Sequence, residues 1–130
     1  MSLNRRDLLI GSLSFSLVGC AMNKVESSNR YGLFGKILAQ PGKGQELADV
    51  LLQASRGVAK AKGCQIYLVQ VAPAEPDAVW ITEVWDSKAD HDASLSLPET
   101  QALIKVGRPL IAGFTDRVET TVLGGHGLDW

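Results

Sequence analysis

Glu83 sits in the run 78–86 (AVWITEVWD), with apolar residues on both sides. A carboxylate in such a setting loses hydration, its pKa rises, and it becomes a usable base. The competing structural role is an ion pair across a sheet, with Arg117 or Lys36 as partner. His91 follows shortly after, at the start of a helical stretch. A neutral imidazole there suits removal of a proton from a phenol, and the alternative is a solvated or capping histidine. Trp80 and Trp85 offer ring faces that could stack on an aromatic substrate, or they fill a core or a dimer contact. Tyr67 and Arg108 complete the candidate pocket. Arg108 could stabilise a phenolate or superoxide charge or pair with a carboxylate. Asp90, His91 and Asp92 are neighbours, but adjacent helical residues point to different sides, so no metal site is expected.

The elements that must position these groups follow from periodicity. Residues 31–40 (YGLFGKILAQ) form a first strand, closed by the turn signal Pro41-Gly42. Residues 44–62 carry Leu47, Val50, Leu51, Ala54, Val58 and Ala61 at helical spacing, an amphipathic helix that Gly63 stops. Residues 64–72 (CQIYLVQVA) form the second strand and residues 78–86 the third, joined by the loop 73–77. Ser87 is a candidate N-cap for a short helix over 88–97. Pro98 opens another helix over 98–111, with Leu103, Val106, Leu110 and Ala102 as its buried stripe and Gly113 as its stop. Residues 116–123 form the fourth strand.

The order β-α-β-β-α-β is the split pattern of a ferredoxin-like fold, an α+β domain with one four-stranded antiparallel sheet and both helices on one face. Strand three is apolar on both sides, with Val79, Ile81 and Trp85 opposite Trp80 and Val84. Strand one repeats this, with Leu33 and Ile37 opposite Phe34 and Leu38. A half-covered sheet should alternate with polar residues. The second face therefore needs a cover, and a second copy of the domain, making a homodimer, is the economical one.

Ahead of the domain, the chain carries the marks of an export signal over residues 1–19. Arg5-Arg6 precedes a twelve-residue apolar run, 8–19 (LLIGSLSFSLVG). That run is short of the roughly 20 residues a membrane-spanning helix requires. Asn4-Arg5-Arg6-Asp7-Leu8-Leu9 resembles a twin-arginine signal, and Leu17-Val18-Gly19-Cys20 a bacterial lipobox. On this reading Cys20 is lipidated, residues 20–29 are a polar tether, and residues 30–130 are the working domain, exported and held at the cell envelope. An ordinary secretory signal with an incidental cysteine is the alternative. Lipidation of Cys20 would leave Cys64 without an intrachain partner.

Composition narrows the class further. Hydrophobic residues make up 45% and charged residues 21% of 130, which is a globular balance with room for one domain. The signal takes two of the 13 basic and one of the 14 acidic residues, leaving 11 and 13. A slightly acidic domain without a basic patch is a poor partner for nucleic acid.

Three stretches, PDAVWITEVW (76–85), ADHDASL (89–95) and RPLIAGF (108–114), resemble the antibiotic-biosynthesis monooxygenase family, in the branch labelled quinol monooxygenase. The resemblance spans about residues 31–127 and includes Pro41-Gly42-Lys43 and Gly124-Gly125-His126-Gly127. It implies a homodimer forming an α/β barrel and a monooxygenase that needs no metal, flavin or other cofactor. The substrate would be a small aromatic quinol or phenol that reacts with dioxygen once deprotonated. Many relatives carry histidine where this chain has Ser94 and Glu99. Haem-degrading relatives need an asparagine on strand one, a tryptophan at position 94 and a histidine near Leu103, and none is present, so haem cleavage is not expected. The family also hosts isomerases of small carbonyl compounds, and a non-catalytic binder of a small hydrophobic ligand fits the same residues.

Overall fold

The computed structural model describes residues 29–128. The expected signal, Cys20 and most of the tether lie outside them. Strand β1 (Arg30–Ala39) leads to helix α1 (Gly44–Val58), then β2 (Cys64–Ala72) and β3 (Glu75–Trp85). Helices α2 (Lys88–Ser94) and α3 (Pro98–Gly107) follow, then a single 3₁₀ turn (Arg108–Leu110) and strand β4 (Ile111–Val122). The sheet order is β2-β3-β1-β4 with every neighbouring pair antiparallel. This is the ferredoxin-like α+β arrangement that the element order predicts.

Several boundaries differ from the sequence expectation, each for a local reason. Helix α1 ends at Val58 rather than 62. Past it the amides of Lys60 and Ala61 bond to the carbonyls three residues back, which tightens the helix into turns before Gly63 reverses the chain at φ +80. The expected five-residue loop between β2 and β3 shrinks to Pro73-Ala74, because Glu75 already pairs with Ala72. Gly113 does not stop a helix. The helix has ended at Gly107, and Gly113 pairs with Leu38 inside β4. The inward face of α3 is Thr100, Leu103, Ile104 and Gly107, whereas the predicted Val106 is 58% exposed. Ser87 caps α2 as expected, accepting the Asp90 amide at 3.1 Å.

A remote carboxylate fixes the start of α1. Asp77, at the head of β3, accepts the amides of Gly42 and Gly44, each at 3.0 Å. These donors have no partner within the helix, and a negative charge there also suits the helix dipole. The approach is close enough that a Cβ on Gly44 would fall 1.9 Å from the Pro76 carbonyl oxygen.

Alternation along the strands sorts the side chains between two faces. Tyr31, Ala39, Val79, Ile81, Glu83 and Trp85 are buried on the helix-covered face. All but Glu83 join two packed clusters, one around Leu47, Val79 and Leu110, the other around Tyr31, Val58 and Trp85. On the bare face Phe34 stacks on Trp80 at 5.2 Å between ring centroids, flanked by the exposed Leu68 and Val118. On β4 a bulge places Asp116 and Arg117 opposite Gly35 alone, with Asp116 at φ +51.

Candidate active site

Sheet and helices do not close completely on each other. Between them lies a mainly apolar cavity of about 620 Å³, a volume suited to a small organic ligand. The stripe Leu47, Val50, Leu51, Ala54 and Val58 forms its α1 wall, and the inward face of α3 forms another. The helical periodicity seen in the sequence thus marks cavity lining as much as solid core.

Tyr67, Glu83 and Trp85 reach this cavity from adjacent strands. Tyr67 and Glu83 are direct cross-strand neighbours. Glu83 is only 8% exposed. Burial pushes its carboxyl above the ordinary value of 4.5, against the pull of the Trp85 indole and the charges of His91 and Arg117. The indole N–H of Trp85 donates to Glu83 Oε2 at 2.7 Å. Burial also raises the Tyr67 hydroxyl, with the Glu83 charge adding to it, so Tyr67 stays a neutral donor at physiological pH. The expected ion pairs of Glu83 with Lys36 or Arg117 do not form. Lys36 pairs with Asp116 at 3.4 Å and Arg117 with Glu119 at 3.2 Å.

His91 stands behind Glu83. It does not line the large cavity but a smaller adjoining one of about 220 Å³, shared with Glu83, Tyr67 and Arg117. Its ring is buried between Tyr31, at 5.2 Å, and Trp85, at 5.7 Å edge-on. Nε2 lies 3.8 Å from Glu83 Oε2, and Nδ1 lies 2.9 Å from Asp92 Oδ1. The hydrogen bond from His91 holds the Asp92 carboxyl below its usual range. A carboxylate at Nδ1 fixes the proton on that nitrogen and leaves Nε2 facing Glu83. The Asp92 side chain is 55% exposed, so the sequence Glu83, His91, Asp92 runs from the cavity to solvent. In the sequence Asp92 was visible only as His91's neighbour. Asp90 turns away, towards Lys62 at 3.6 Å.

The other candidates fall elsewhere. Trp80 lies on the bare face of the sheet, with Lys36 Nζ over its ring at 5.1 Å, and lines neither cavity. Odd and even positions of one strand point to opposite faces, so Trp80 and Trp85 cannot share a pocket. Arg108 lines the large cavity at the end of α3. Ser94 is buried on the cavity wall, its hydroxyl donating to the His91 carbonyl at 2.6 Å. Cys64 is a free, half-buried thiol whose pKa burial raises.

The sequence pattern of the family described as antibiotic biosynthesis monooxygenase matches residues 30–106, more than half of the chain. The chain belongs to this family. A solved structure from Chloroflexus aurantiacus, named as a candidate antibiotic biosynthesis monooxygenase, is similar at 47% identity. The match covers 77% of this chain and 99% of that one, with a TM-score of 0.72. Two further structures share the fold alone. One, a conserved protein of Methanosarcina mazei, is 16% identical over 75% of this chain and 96% of its own, with a TM-score of 0.66. The other, from Bacteroides thetaiotaomicron, is 14% identical over 78% and 96%, with a TM-score of 0.68. No curated protein matches the chain. His91, one helical turn before the buried Ser94, is the histidine that approaches Glu83.

Proposed function

We propose that the protein is a cofactor-independent monooxygenase acting on a small aromatic quinol or phenol. The observation that carries this is Glu83, a buried carboxyl of raised pKa at the wall of an apolar cavity, with His91 behind it. A substrate hydroxyl entering the cavity gives its proton to Glu83, and Tyr67 donates a hydrogen bond to the oxygen left behind. The deprotonated ring is electron-rich and reduces dioxygen directly. One oxygen atom replaces hydrogen at a ring carbon and the other leaves as water carrying the displaced protons, so the product is a quinone and the substrate supplies every electron. His91 takes the proton from Glu83 at Nε2 and releases its Nδ1 proton towards Asp92 and solvent. The 3.8 Å between Nε2 and Oε2 has to close to hydrogen-bond length for this transfer, a tightening common in substrate complexes.

The same reading has the protein working as a homodimer through its bare sheet face, exported and anchored by lipid at Cys20, close to membrane quinols. Binding without turnover is the second reading, favoured by Ser94 standing where many relatives have histidine. Oxygen uptake with menadiol separates the two. The first expects uptake above the autoxidation rate that Glu83→Gln abolishes. Uptake equal to the buffer control across several quinols overturns it. For the anchor, Cys20→Ser should release the protein from the membrane fraction, and retention there would exclude lipidation at that residue.

A further inference from the structure

The large cavity is long and electrically polarised. Along α1 its wall runs from Leu47 to Val58, about 16 Å at 1.5 Å per residue. Helix α3 runs antiparallel beside it. Glu99, in its first turn, lies 3.6 Å from where a Cβ on Gly57 would sit, and Gly107 at its other end meets Val50. The strands give the same axis. Glu83 pairs with Leu33, whereas Ile111, just beyond Arg108, pairs with Ala39. That separation along β1 is about 20 Å at ~3.3 Å per residue.

Opposite charges mark the two ends. Glu83 lines the cavity at the Val58 end, where the nearest cation, Arg117, is already paired with Glu119. Glu99 lies outside it, in a surface hollow shared with Lys60 and Lys62, the latter paired with Asp90. At the other end Arg108 lines the cavity and, with Lys105, also the adjoining surface hollow, whose lining holds no acidic residue. Among the described residues neither Arg108 nor Lys105 has an ion-pair partner. An anion is repelled from the Glu83 end and attracted to the Arg108 end. The guanidinium fork suits a carboxylate in particular.

We propose that the ligand of this cavity is a rod-shaped hydroxyaryl carboxylate, held with its hydroxyl at Glu83 and its carboxylate at Arg108. The placing of the hydroxyl rests on the reading of Glu83 as the base; the carboxylate end rests on the charge distribution alone. The apolar walls take the aromatic body, and the two ends fix which way round it enters.

Calorimetric titration of the full chain tests this with two ligands of one shape, 4′-hydroxybiphenyl-4-carboxylate and 4-phenylphenol. The acid should bind about tenfold more tightly, the size of one partly exposed charged hydrogen bond. Arg108→Gln should remove that preference by weakening the acid about tenfold, with a much smaller effect on 4-phenylphenol, and 0.5 M salt should weaken the acid far more than the phenol. Equal affinities in the unaltered protein, or a preference that survives Arg108→Gln, overturn the proposal. Binding is measured without dioxygen turnover, so the two readings fail separately. An Arg108-dependent preference with no oxygen uptake leaves the anion end standing and removes the oxygenase.

Discussion

Glu83 accepts the indole N–H of Trp85 at 2.7 Å, the two residues standing two positions apart on β3 and so on the same face. The bond opposes burial and keeps the carboxyl ionisable. Trp85→Phe retains most of the ring volume and removes the donor. The Glu83 pKa should then rise further, carrying the acid limb of the kcat/KM profile to higher pH. Stability should fall by about 1.5–3 kcal/mol, the usual size of a hydrogen bond to a charged group. A pH–rate profile that does not move would rule out Glu83 as the base.

Burial of Glu83 also makes stability depend on pH. Below its ordinary value of 4.5 the carboxyl is protonated in both folded and unfolded chains, and burial costs nothing in charge. Above that value the unfolded chain ionises first, so the folded state loses stability until its own, raised pKa is passed. Glu83→Gln is neutral throughout and escapes this loss. The difference in melting temperature should move in favour of the glutamine variant as pH rises from about 4.5, then level off. A difference moving the other way would mean that the folded carboxyl is not raised.

Asp92 is assigned a positioning role through His91, with no contact to substrate. Asp92→Asn takes the anion from Nδ1 and weakens the preference for the tautomer that presents a bare Nε2 to Glu83. Turnover should drop roughly 10-fold with KM nearly unchanged, and the imidazole nitrogen NMR shifts should show the changed tautomer populations. His91→Ala should cost more, on the order of 10²–10⁴, the usual range for a proton-transfer group. Added imidazole should restore part of that loss. Equal effects on kcat and KM, without rescue, would make both residues structural.

Much of the fold was legible in the sequence because periodicity reports it directly. The alternation in β3 separated Trp80 from Trp85, and the spacing from Leu47 to Val58 gave α1 its inward face. Less legible was anything set by contacts distant in the chain. The 3₁₀ turn after Gly107 ends α3 early and starts β4 at Ile111, although Leu110 and Ile111 fit a helical stripe equally well. At the site, Glu83 and His91 stood out as ionisable groups in or beside apolar runs. Their approach to within 3.8 Å depends on the angle at which α2 leaves β3, which no local pattern encodes. Asp92 gained meaning only once the orientation of the His91 ring was known.

The bare sheet face carries the dimer expectation. Phe34 is 38% and Leu68 49% exposed, and Trp80 stacks on Phe34, on strands that alternation alone would have made polar outward. Trp80→Lys places a charge at the centre of that surface without touching the cavity. Sedimentation velocity should show a dimer for the unaltered chain and a monomer for the variant at micromolar concentration. A variant that stays dimeric would move the interface to another face.

Asp77 offers a control on stability independent of the catalytic groups. Its two oxygens hold the amides of Gly42 and Gly44, so the first turn of α1 depends on a residue at the head of β3. Asp77→Ala leaves both donors without their acceptor and removes the charge facing the helix dipole. Loss of a capping side chain typically costs about 0.5–2 kcal/mol. Two bonds to one ionised carboxylate place Asp77 near the upper end of that range, and Asp77→Asn, which can still accept one bond, should lose less. Gly44→Ala should be worse than either, because the new methyl meets the Pro76 carbonyl and pushes α1 off the strand. Denaturant unfolding should rank the variants in that order. Since Leu47, Val50 and Leu51 follow within two turns, the same displacement should loosen the α1 wall of the cavity, and Gly44→Ala should weaken ligand binding where Asp77→Asn does not. If Asp77→Ala proves neutral, solvent is satisfying these amides and the strand head does not set the position of the helix.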